Sequence, residues 1–292
     1  MKTTPLREDR AYINALPVEI LRIIFSKLGL AKDSVWPGVK PFSLALVCRR
    51  WRGVALTDKM PWSNIKLSWE VRLIKWAAER AAPNLLMVRP GAEGSVLDKD
   101  RRDLVNGLLS RVEIMHLALP PSNQGDNSKL LNGLSSTAQA LQVLELMANG
   151  SYRRFWPPTL GIQDNNKDEM NLHTLVLDGL WFSQWPIWAQ NIRTFRVRSM
   201  SVGPEQLGMP LSSFVTAFLN MPRLECVDIR NINPGDTSTL TSPQPTFIFD
   251  ALTDLLLLGD DAMVAAIRAW LTPNAPNLIH DGVVAIGTMT IP

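Results

Sequence analysis

Residues 141–149 read LQVLELMAN, with apolar side chains at the first, fourth and sixth places. Leu144 and Leu146 flank Glu145, and alternate residues of a strand point to opposite faces. The same apolar-x-x-apolar-x-apolar string returns as VEIMHL from Val112, LHTLVL from Leu172, IRTFRV from Ile192, LECVDI from Leu224 and LTDLLL from Leu252. Weaker copies are WSNIKL from Trp62 and PNLLMV from Pro83. Starts of the six stronger copies lie 29, 31, 20, 32 and 28 residues apart. One short strand per copy is the expectation.

Helical periodicity fills several of the gaps. Residues 70–81 bring Val71, Ile74, Ala78 and Ala81 to one face, Asp103 to Val112 brings Leu104, Leu108 and Val112 together, and Leu211 to Leu219 does the same for Leu211, Phe214, Val215 and Phe218. Asp260 or Asp261 is placed to cap a helix running to Leu271. Segments 120–128, 156–168 and 233–246 are rich in turn formers and read as loops. Strand, loop and helix repeated at this spacing resemble a leucine-rich repeat, whose full L-x-x-L-x-L-x-x-N form is met at Leu141 to Asn149. The fold class expected is α/β: an irregular leucine-rich-repeat-like solenoid over residues 61–292, with an ordinary α/β domain as the competing reading.

The N-terminal segment differs in charge. Residues 1–60 hold 11 Lys+Arg and 5 Asp+Glu, whereas residues 61–292 hold 19 and 22, so the formal +3 hides a basic head on a slightly acidic body. In INALPVEILRIIFSKL (residues 13–28), Pro17 suits a first helical turn, and Ile20, Leu21, Ile24, Phe25 and Leu28 share one face of a helix ending near Gly29. After a loop with Pro37, Gly38 and Pro41, a second amphipathic helix is expected, with Leu44, Val47, Cys48, Trp51, Val54 and Ala55 on its apolar face.

The Leu16-Pro17 entry, the helical spacing after it, the block Val47-Cys48-Arg49-Arg50-Trp51 and the trailing Ala55-Leu56 with Pro61-Trp62 resemble an F-box of the fungal F-box-like type. The resemblance covers about a fifth of the chain, and the loop over residues 29–42 is longer than in compact F-boxes. It implies an all-α module over residues 1–60 that docks on a Skp-type adaptor and, through it, a cullin–RING ubiquitin ligase. The implied adaptor-facing residues are Leu16, Pro17, Ile20, Leu21, Ile24, Phe25, Val47, Cys48 and Trp51. Their helical spacing alone would equally suit the core of a helical hairpin; the whole block favours docking. The basic head would suit an acidic partner.

A target protein is the expected partner of the solenoid. The residues between its inward positions form a mixed-charge strip: His116, Glu145, Asp178, Arg196, Arg198, Asp228 and Arg230. The competing reading is a solvated face of weak ion pairs. The cluster Trp181, Phe182, Trp185 and Trp188 reads as gap filling between irregular repeats rather than as a partner anchor.

Catalytic signatures are sparse. No P-loop, G-x-G-x-x-G or G-x-S-x-G string occurs. His116, His173 and His280 lack zinc-protease spacing, and two Cys give no disulfide framework. Asp98, Asp100 and Asp103, interleaved with bases, read as a charged helix start. No cofactor is expected, and the weak net charge does not suggest a nucleic-acid binder. Without an apolar leader or a run of ~20 apolar residues, no membrane association is expected, and the expectation is a cytoplasmic or nuclear protein. The function expected is a non-catalytic substrate adaptor of a ubiquitin ligase. A non-ligase interaction scaffold is the alternative, and a hydrolase a distant third.

Overall fold

The computed structural model describes residues 15–30, 41–90, 98–119, 137–148, 154–156, 171–182, 185, 187–198, 211–232, 248–259 and 261–285. The expected loops at 120–128, 157–168 and 233–246 lie outside the described residues, as do Asn149, Pro186 and Asp260. The chain divides into two compact units, residues 1–65 with 72–86, and residues 66–71 with 87–292.

The first unit is built on helices α1 (Val18–Leu30), α2 (Pro41–Val47) and α3 (Arg49–Thr57). The first bond of α1 runs from the Leu21 N–H to the Pro17 carbonyl, which fits proline at the entry of a helix. The second helix expected from the sequence is instead two. Cys48 adopts extended backbone (φ −157°, ψ 171°), and its Sγ accepts the Trp51 N–H at 3.4 Å. It therefore caps α3 rather than continuing α2. Pro41, expected in the loop, opens α2.

This unit also reaches past residue 60. The Trp62 indole donates to the Ala55 carbonyl at 2.8 Å and meets Trp76 edge-on at 4.7 Å between ring centroids. Trp76 lies on α4 (Val71–Ala81), whose Arg80 stacks over the Trp76 ring and donates to the Leu56 carbonyl. Leu21, Phe25, Leu44, Trp51, Val54 and Ala55 form one core cluster, with Phe25 and Trp51 rings 5.1 Å apart.

Both weaker copies of the repeat are strands, β1 (Asn64–Lys66) and β2 (Leu86–Arg89). The six stronger copies become β3 (Val112–Leu119), β4 (Val143–Ala148), β6 (Thr174–Asp178), β8 (Thr194–Arg198), β9 (Cys226–Ile232) and β10 (Asp254–Gly259). A strand not expected from the sequence, β11 (His280–Ala285), follows. These seven lie side by side in chain order, every neighbouring pair parallel. Two further strands, β5 (Arg154–Trp156) and β7 (Leu180–Phe182), form a separate parallel pair.

The register aligns the copies row by row. Met115, Leu144, Leu175, Phe195, Val227 and Leu255 are successive partners, as are Leu117, Leu146, Leu177, Val197, Ile229 and Leu257. All twelve are buried. So are the first residues of the copies, Val112, Leu141, Leu172, Ile192, Leu224 and Leu252. A carbonyl at the second place of each copy ties it to the next. Gln142 accepts from His173 and Thr174, His173 from Arg193 and Thr194, Arg193 from Glu225 and Cys226, and Glu225 from Thr253 and Asp254. Thr253 extends the series by accepting from Ile279 and His280.

Helices α5 (Lys99–Leu108), α6 (Leu211–Leu219) and α7 (Asp261–Leu271) precede β3, β9 and β11. The expected helix from Asp103 to Val112 thus begins and ends earlier. Asp98 caps it by accepting the Arg101 N–H at 2.8 Å, and Val112 opens a strand. The aromatic cluster belongs to the core. Trp181, Phe182 and Trp188 are buried, and Trp181 packs on Phe214 at 4.9 Å and Phe195 at 5.9 Å. Ring contacts continue through Phe218 to Phe249 and Trp270.

Candidate protein-interaction surfaces

The nine residues implied as adaptor-facing separate into two groups in the helical unit. Leu21, Phe25 and Trp51 are buried in the unit's own core. The faces of α1 and α3 that carry them pack against each other, with the Phe25 and Trp51 rings in contact. Leu16, Ile24 and Cys48 are half-buried and pack against the same core. Pro17 is exposed, Ile20 is 41 % exposed and Val47 is 57 % exposed.

Two neighbours missed by the sequence reading are exposed as well: Ile23 at 55 % and Leu46 at 76 %. Both fall off the helical face counted from Ile20 and Leu44, so periodicity assigned them to solvent. Four large aliphatic side chains left in water on α1 and α2 are the signal, since burying each fully is worth about 1.5–3 kcal/mol. Two arginines brace the surrounding backbone. Arg50 donates to the Leu16 carbonyl, and Arg52 donates to the Ala45 carbonyl at 2.9 Å.

The strip of six charged residues and His116 lies on the opposite face of the sheet from the buried rows. His116, Glu145, Val176, Arg196, Asp228 and Leu256 are successive register partners on neighbouring strands, and Asp178 is opposite Arg198. His116 Nδ1 lies 2.5 Å from Glu145 Oε2, and Arg198 reaches the other oxygen of Glu145 at 3.6 Å. Both His116 and Glu145 are largely covered. Arg230 grips Asp228 through two bonds of 2.7 and 2.9 Å. That hydrogen bond and the carboxylate charge hold the Arg230 guanidinium above its ordinary value.

The strip is thus already paired at two points, one around Glu145 and one around Asp228. Asp228 is only 8 % exposed. Arg196 stands between the two pairs, half-buried, with its Nε enclosed and without an acceptor. The sequence could list these residues but not their partners, because Asp228 chooses Arg230 on its own strand over Arg196 beside it. In the next row, the Cys226 thiol is pushed above its ordinary value by burial. Arg196 opposes that shift, and Asp254 and Asp228 add to it.

Among the described residues, no group of three or more His, Cys, Asp or Glu is placed to hold a metal ion. Within the same residues, no helix is long and apolar enough to cross a membrane.

Residues 13–68 match the F-box-like family model. The chain therefore carries an F-box-like domain, coincident with α1 to α3 and the Trp62 segment. No curated protein matches the chain.

Proposed function

We propose that this chain is the substrate-recognition subunit of a Skp–cullin–F-box ubiquitin ligase, working in the cytoplasm, the nucleus or both. The F-box-like domain docks on a Skp-type adaptor, and the strand-bearing region binds a target protein. The observation that carries the reading is the match over residues 13–68 together with the four exposed aliphatics Ile20, Ile23, Leu46 and Val47. Such domains act as non-catalytic adaptor modules, and their contribution to rate is proximity. We read the F-box as one of the fungal F-box-like type and the second region as an irregular leucine-rich-repeat-like solenoid. Strands that follow chain order, all parallel and in register, support that reading, because each repeat then packs only on its neighbours.

Coexpression with the adaptor tests the first half. The wild-type chain should co-elute with it. Ile20→Asp combined with Val47→Asp should abolish co-elution while leaving the melting temperature nearly unchanged, since both side chains are already in water. Trp51→Ala should instead lower stability by about 3–5 kcal/mol. An adaptor that ignores the exposed pair sinks the docking surface, and a wild-type chain that elutes alone sinks the ligase reading.

A further inference from the structure

The geometry points to Arg196 as the receptor for a single carboxylate side chain of the target, an Asp or Glu in a segment lying across the sheet face. The inference rests on the reading that this face meets a target.

Charge accounting within the strip carries it. Glu145 is engaged by His116 and Arg198. Asp228 gives one oxygen to Arg230 Nε and the other to its Nη2. Arg196 is opposite Asp228 and Val176 in the register, and it has an acceptor in neither. Its enclosed Nε–H forgoes hydration without donating a hydrogen bond, an arrangement that costs stability unless a partner arrives. Val176 beside it is buried and apolar, so the local medium strengthens any charge pairing that forms. A guanidinium with a free edge matches a carboxylate fork.

The surroundings also choose between anions. Glu145 already answers to Arg198 and Asp228 to Arg230, which leaves Arg196 as the cation without an ion pair among them. A monoanion adds one charge opposite the unpaired cation. A dianionic phosphate would bring a second negative charge among three carboxylates, and like charges in one site repel.

The probe is three fluorescein-labelled peptide pools, random except for a fixed central residue: Glu, Gln or phosphoserine. Binding is read by polarisation on the full chain. The Glu pool should bind roughly tenfold better than the Gln pool. Arg196→Gln should erase that preference, Arg196→Lys should keep part of it, and the phosphoserine pool should not exceed the Glu pool. Thermal melting of the Gln variant checks its fold. Equal binding of the Glu and Gln pools to the wild-type chain overturns the inference, as does a preference that survives in a folded Arg196→Gln variant. A stronger phosphoserine pool overturns the carboxylate assignment. Adaptor co-elution, run on the same samples, separates the two readings: a chain that holds the adaptor but shows no Glu preference loses only this inference.

Discussion

Gly179 sits at the end of β6 with φ +69°, in a backbone region that other residues enter only with strain. Its N–H donates to the Arg198 carbonyl, and a Cβ there would lie 3.3 Å from the Ala148 Cβ. Gly179→Ala should therefore cost about 1–2 kcal/mol in urea unfolding, since both conformation and space oppose it. Cys226 offers a second residue-level check. Burial raises its thiol pKa, so the reactive thiolate is scarcer at pH 8 than for an open cysteine. Arg196 pulls the other way. In a Cys48→Ser background, Arg196→Gln should slow Cys226 alkylation at pH 8, with the gap closing as pH rises. An unchanged or faster rate would place Arg196 away from the thiol in solution. Among the nine F-box positions, residue type could not separate Phe25 from Ile20: both are apolar and on one helical face, and only packing buried the first and exposed the second.

At the scale of the element, starts and stops were the least legible part of the sequence. Helix α5 is set by Asp98, whose carboxylate takes the Arg101 N–H and pairs with the Arg101 side chain. Asp98→Ala should cost about 1 kcal/mol, measured by chemical denaturation, with the loss confined to an unsatisfied first turn. The break between α2 and α3 falls inside an unbroken apolar period, and no glycine or proline marks it. The capping sulfur of Cys48 does that work, a role that serine normally fills. Strand β11 was missed for a definite reason. Asp281 occupies the register slot opposite Leu255, and Gly282 follows it, so the apolar alternation fails there. Arg268 on α7 pairs with Asp281 and compensates the charge. A longer pattern would have found this copy. A buried residue recurs three places before five of the six starts, as Leu109, Ala138, Ala189, Met221 and Phe249, and then as Ala275 before Leu278.

In the molecule as a whole, the parallel sheet of the second unit grows in chain order, and its two inward rows are the reason. Each strand buries its pair of rows only when the next copy covers it, so the interior strands gain from both sides and the last from one. Amide hydrogen exchange should follow that gradient. Protection should be greatest at Leu175, Phe195 and Val227 and least in β11, where Asp281 takes the place of a core residue. Uniform protection from β4 to β11 would count against a repeat-by-repeat build. The sequence by itself determined the α/β class, six of the seven strands that run from β3 to β11 in the large parallel sheet, the basic helical head and its F-box-like character. Local spacing and charge carry that information, because strand and helix periods are properties of neighbouring residues. The tertiary structure alone decided which apolar side chains of the head remain in water. It also decided that α3 starts at Cys48 and that Arg196 is the cation left over in the strip. Those outcomes depend on groups distant in sequence: Phe25 packs with Trp51 in one core, and Arg196 loses one carboxylate to Arg230.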